Sequence, residues 1–135
     1  MYLFLKRNRV TAGASIGRLM VGGFFVYWTR EDADDALKAG IYPVTITPTT
    51  GTGHLLPLVT EVPEHEHGVR MKSLADGTPG PCILIGLEHT VSKVDDSVFA
   101  MQGVQSEIAG ALARGEDVWL EVIDATVRPI GGDPS

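Results

Sequence analysis

A single cysteine, Cys82, serves the whole chain of 135 residues. No internal disulfide can form, which excludes a small secreted scaffold stapled by bridges. No apolar run approaches the roughly 18 residues that a membrane span needs. The leading MYLFLKRNR places its apolar part before its basic part and is too short for a secretory signal. A soluble chain made in a cytoplasm, with no membrane partner, is therefore expected. Basic residues do not gather except at Lys6 to Arg9, and the net charge is −6 with the acids scattered. A nucleic-acid binder presents a concentrated positive face, so no nucleic-acid partner is expected. Phosphate loops are missing too. Gly51-Thr52-Gly53 and Val21-Gly22-Gly23 have neither the lysine nor the following helix that such loops use. No motif calls for a cofactor.

Turn formers, by contrast, are plentiful. The 16 glycines and 8 prolines make up about 18% of the residues, against roughly 12% in average proteins. Many turns imply short strands more often than long helices. The alternation in MYLFLKRN sets Leu3 and Leu5 against Phe4 and Lys6, as in a half-buried strand. Ile16 to Val21 and Phe24 to Thr29 flank a Gly22-Gly23 turn and read as a hairpin. REDADDALKAG fits either one or two helical turns ended by Gly40 or a mobile acidic loop. IYPVTITPTT is a strand, placed at an edge because Pro43 cannot donate to a ladder. LLPLVTEV and GVRMK are further strands. SLADGTPGP is an irregular loop, and CILIG, apolar on both faces, suits a central strand.

One long helix is clear, in DDSVFAMQGVQSEIAGALARG. Val98, Met101, Gln105, Ile108 and Leu112 share a face at spacings of three and four. Asp95, Asp96 or Ser97 is expected to cap its start, and Gly115 to end it in a left-handed conformation. DVWLEVIDATVRPI closes the chain, with Val118, Leu120 and Val122 opposite Trp119, Glu121 and Ile123. With no repeat and no linker, residues 1–130 are expected to form one domain, followed by a flexible tail at 131–135. A domain of this length buries roughly two-thirds of its unfolded surface, so it needs no staple. The fold class expected is mainly β (α+β): an antiparallel sandwich or barrel with one long helix near the C-terminus.

Chemistry centres on residues 65–86. Cys82 opens an apolar strand after Pro79-Gly80-Pro81, a position that nucleophiles use. A cysteine attacks as thiolate and needs a base or cation nearby, some exposure, and donors for an oxyanion. Pro79 and Pro81 offer no N–H, and His65 and His67 lie 15 or more residues upstream. Free cysteine is among the most buried residue types, so residue type favours a buried, inert Cys82 at the head of a core strand. His65 and His67 would share a face of a strand. With Glu61, Glu64, Glu66, His54 or Cys82 they could hold a metal, but a solvated polar loop is the expectation, and no metal site is assigned. His89 lies in a polar loop. Trp28 and Trp119 are expected to fill the core or a subunit contact, with a sugar platform as the alternative. The acidic run Glu31 to Asp35 is expected to be a solvated face.

LFLKR, SIGRLMV with FFVYWTRED, AGIYPVTIT, LPLVTEVP, HGVRM, CILIG and ALARGEDVWLEV follow one another through residues 3–122. In that order and spacing the chain resembles a family of small phage- and prophage-encoded domains of unknown function. In that family the segment matching GVRMK usually ends in histidine, and the segment matching GPC is usually Gly-Cys. That pairing is similar to the centre of L,D-transpeptidases, which cross-link bacterial peptidoglycan with a cysteine nucleophile and a histidine base. Here Lys72 stands at the histidine position, Pro81 at the glycine and Leu84 at the arginine of the transpeptidase motif. Lysine is a poor base near neutral pH unless burial lowers its pKa. The resemblance therefore implies a non-catalytic structural or accessory protein: a virion decoration or tail component, or a cell-wall-binding module. Its partners would be other virion proteins or itself as a homo-oligomer, with peptidoglycan as a further ligand, and its location the virion, or the host bacterial cytoplasm before assembly. The alternative is a cysteine enzyme of the L,D-transpeptidase type, with Cys82 as nucleophile and His67 or Lys72 as base.

Overall fold

The computed structural model describes residues 1–11, 13–23, 25–50 and 53–124. Eight strands close into a barrel: β1 (Tyr2–Thr11), β2 (Ala14–Val21), β3 (Phe25–Asp32), β4 (Gly40–Pro48), β5 (Leu55–Val59), β6 (Val69–Lys72), β7 (Cys82–Gly86) and β8 (Val118–Asp124). One helix, α1 (Val94–Ala113), lies between β7 and β8 in sequence. Around the barrel the order is β1-β2-β3-β7-β6-β5-β4-β8, with β8 returning to β1. Six of the pairings are antiparallel; β1 with β8 and β6 with β7 are parallel. A barrel, and not a sandwich, is thus the architecture, and the β1–β8 pairing leaves no free edge.

Period-two alternation builds the interior. Leu3 faces Val21 and Leu120 across its two ladders, and Leu5 faces Leu19 and Val122. All of these are buried, as are Tyr42, Val44, Val59, Val69, Met71, Ile83 and Ile85 on the other strands. They form one core with the buried face of α1. The Gly22-Gly23 turn has φ of +63° and +84° and sets Val21 opposite Phe25, the positive φ values a tight hairpin needs. A register shift in β1 between Arg7 and Arg9, opposite Gly17 and Ile16, marks a bulge.

Four expectations are corrected. Pro43 is not on an edge, since β4 lies between β5 and β8. Its carbonyl accepts from Thr60 N at 2.9 Å, where the β5 ladder has already ended at Val59. The missing donor therefore falls at a strand end and leaves the ladder intact. The acidic segment is neither helix nor loose loop. Asp32 Oδ1 accepts from Asp34 N, which turns the chain away from a helix, and Leu37 is buried to 1% exposure. The start of α1 has Lys93 as its N-cap with no side-chain cap; Asp95 and Asp96 sit in the first turn, where negative charge suits the helix dipole. The buried helix face is Ser97, Ala100, Met101, Val104, Ile108 and Ala111; Met101 and Ile108 lie on it as expected, but the face is rotated away from Val98, Gln105 and Leu112. Small residues let the helix settle close to the sheet, so Val98, Gln105 and Leu112 lie at its margin. Gly115, at φ +80°, does end the helix: its N–H reaches Leu112 O and that of Glu116 reaches Ala111 O. Residues 125–130 of the expected closing strand and the 131–135 tail lie outside the described residues.

Candidate functional site

β7 presents Ile83 and Ile85 inward, so Cys82 and Leu84 point outward. On the same outer face Arg70 and Lys72 of β6 pair with Cys82 and Leu84, and Arg30 of β3 pairs with Leu84. The structure thus brings Lys72 beside the cysteine strand. The loop 73–81 lies beside them. Lys72 Nζ donates to Thr78 O at 2.6 Å, and Asp76 Oδ1 accepts from Thr78 N at 2.8 Å. Cys82, Leu84, Arg30, Asp32, Leu74 and Gly80 line a depression of about 610 Å³.

Cys82 is free and only half-buried on the outer face, not buried in the core as expected, because strand parity gives the inward positions to Ile83 and Ile85. Burial pushes its thiol pKa up; Lys72 pulls it down, and Asp35, Glu31 and Asp32 push it up again. The one cation that favours the thiolate is thus opposed by desolvation and three carboxylates. Among the described residues no hydrogen bond joins Cys82 to a histidine. His67 is exposed in the turn that precedes β6. His65 belongs to the same turn, bridged to Val62, and its Nε2 lies 3.0 Å from Asp35 O. The two histidines therefore do not share a strand face. His54 lies elsewhere, its Nδ1 3.8 Å from Asp76 Oδ2. It lines a second groove of about 660 Å³ with Asp76, Met101, Gln102 and Gln105. No group of three or more His, Cys, Asp or Glu side chains among the described residues could hold a metal ion.

A buried charged cluster escaped the sequence. Glu31 is 2% exposed and so is not part of a solvated face. Its Oε1 lies 3.4 Å from Arg7 Nη1, and its Oε2 accepts from Leu37 N at 3.0 Å. Arg7, also buried, donates from Nε to Asp124 Oδ1 at 2.8 Å. Burial raises the Glu31 pKa, against the hydrogen bond from Leu37 and the Arg7 charge, which lower it. The available signal was parity: Leu3, Leu5 and Arg7 share one face of β1, and Thr29 and Glu31 one face of β3. A charge of each sign ends two inward rows that the barrel brings together.

Outside the barrel, Trp28 stacks under Arg18, whose guanidinium carbon is 5.0 Å from the ring centroid, and meets His89 edge-on at 6.0 Å. Both tryptophans are half-buried and outward-facing, so neither fills the core. Comparison with models of known protein families, with curated proteins and with solved structures finds no match for this chain.

Proposed function

We propose that this chain is a non-catalytic, phage-derived structural or accessory protein. It serves as a virion decoration or tail component or as a module that binds cell wall without cutting it. The observation that carries the reading is the environment of Cys82. Its thiol is raised by burial and by three surrounding carboxylates. Its cationic neighbour Lys72 has its ammonium bonded to Thr78 O. A nucleophile needs the opposite: a lowered pKa and a free base at hand. Phage origin and the virion rest on the sequence resemblance alone.

Two experiments test this. Labelling the folded protein with iodoacetamide across pH should be slow at neutrality and rise only in the alkaline range, with fast labelling after denaturation. Rapid labelling at pH 7 would move the assignment to the cysteine-dependent transpeptidase-like enzyme. Quantitative mass spectrometry of purified particles should find the chain in many copies, and its absence there would remove the virion role.

A further inference from the structure

Apart from the Arg7 and Glu31 cluster and Thr29, the inside of the barrel is mostly apolar, yet so is a large part of its outside. Ile41, Glu121, Phe4, Met20 and Val26 are direct neighbours across β4, β8, β1, β2 and β3, so their side chains share the outer face. The four apolar members are exposed by 36% to 52%. Tyr2, one pleat along from Phe4, packs its ring at 5.6 Å from the Phe4 ring. Ile123, one pleat along from Glu121, is exposed as well. Together these six leave roughly 500 Å² of apolar surface in water, high in the range for the largest patch on a monomer and a marker of an interaction site. A stable interface buries about 800 Å² per partner, so this patch supplies the apolar centre of one. The barrel curves, which makes β8, β1 and β2 the middle of the face and puts Ile41 and Val26 at its flanks.

Charge names the occupant. The chain as a whole carries −6, so two copies repel over most of their surface. Among the described side chains, the outer face of the central strands carries one acid, Glu121, and two bases, Lys6 and Arg18. Arg18 is engaged with Trp28. Among the described residues, Lys6 and Glu121 have no ion-pair partner. They stand diagonally on adjacent strands, Glu121 beside Phe4 and Lys6 one pleat along from Phe4, opposite Ile123. Such a face complements a copy of itself. A two-fold axis between the two charges sets each Glu121 against the partner's Lys6, twice, around Phe4 and Ile123, with Met20 next to Phe4.

We infer that the outer face of β8, β1 and β2 is the contact of a symmetric dimer of this chain. The dimer does not depend on where the protein acts, so it stands or falls separately from the virion role.

Sedimentation equilibrium over a concentration series tests it. The wild type is expected at twice the 14.4 kDa chain mass at micromolar concentration. Met20→Glu, at an exposed position, should weaken the dimer by about 100-fold, as burying a charge at an interface centre does. Lys6→Glu or Glu121→Lys alone should weaken it by about tenfold, and the two together should restore it to within about threefold. A wild type that stays monomeric at about 100 μM, where weak interfaces already assemble, overturns the proposal. So does a dimer indifferent to Met20→Glu. A double charge exchange no better than its singles overturns the two-fold pairing. Should Met20→Glu fail to fold, the charge exchange still decides.

Discussion

The two halves of the barrel are held by different means. On one side β1, β2 and β3 run for ten, eight and eight residues and pair almost throughout their length. On the other, β5, β6 and β7 run for five, four and five, and β6 shares only two pairs with β5 and three with β7. Side chains make up the difference. Arg70 donates to the carbonyls of Thr47, Leu56 and Pro48 at 2.9 to 3.0 Å. Ser97 accepts from Leu74 N and donates to Ile85 O, tying α1 to both the 73–81 loop and β7. Lys72 holds Thr78. A long ladder tolerates the loss of any one contact, whereas a short one rests on a few named groups. The candidate site lies at the junction of the two halves, where β3 meets β7 over only three pairs.

Substitution can break this comparison, and the largest effect is expected at Gly68, in the short-stranded half. A Cβ there would lie 2.6 Å from Val59 O and 2.8 Å from Leu58 Cδ1, at φ +80°. Gly68→Ala should lose about 3 kcal/mol or more, from a backbone clash added to left-handed strain, measured by urea denaturation. Ser97→Ala comes next, at about 2 kcal/mol, because it strips partners from a half-buried N–H and a buried carbonyl. Gly22→Ala, in the long-stranded half, meets open space at φ +63° and should lose only about 1 kcal/mol. If Gly22→Ala proved as damaging as Gly68→Ala, the contrast between the halves would be gone.

A smaller effect sharpens the comparison through pH. Burial raises the Glu31 carboxyl above its ordinary 4.5, so the folded chain keeps a proton that the unfolded chain gives up. Stability from this group therefore rises as pH falls through the raised folded value towards 4.5. Glu88 has the opposite sign. The Thr90 hydroxyl, with backbone N–H groups of Ser92, Lys93 and Thr90, holds it at about 2. Its contribution is complete above 4.5 and is lost as pH falls towards 2. Denaturation midpoints of wild type and Glu31→Gln should diverge as pH falls from neutrality towards 4.5, the wild type gaining relative to the variant. Parallel curves would mean that Glu31 titrates as an exposed carboxyl.

The legible part of the fold was its local part. Leu3 and Leu5, the Gly22-Gly23 hairpin, CILIG as an inner strand, and the helix ended by Gly115 all follow from periods and turn chemistry. What misled was context. Pro43 looked like an edge because a missing N–H costs a ladder bond, but a closed barrel can place that gap at a strand end. The helix face was read correctly at Met101 and Ile108, but Ser97, Ala100, Val104 and Ala111 complete the contact in place of Val98, Gln105 and Leu112. Glu31 looked solvated among acids, since nothing near it in sequence reveals that Arg7 lies across the barrel. At the candidate site, residue types alone favoured an inert Cys82 without naming its neighbours. Asp35 and Glu31, which act on its thiol, come from segments some fifty residues away.

The sequence by itself determined the strands, the one helix and the inward rows, because side-chain period and positive-φ turns act over a few residues. Tertiary structure alone decided that the sheet closes, that Arg7 meets Glu31, and that Cys82 sits among carboxylates with Lys72 beside it. Those outcomes depend on which strands become neighbours, and the free energy of that choice is spread over the whole core.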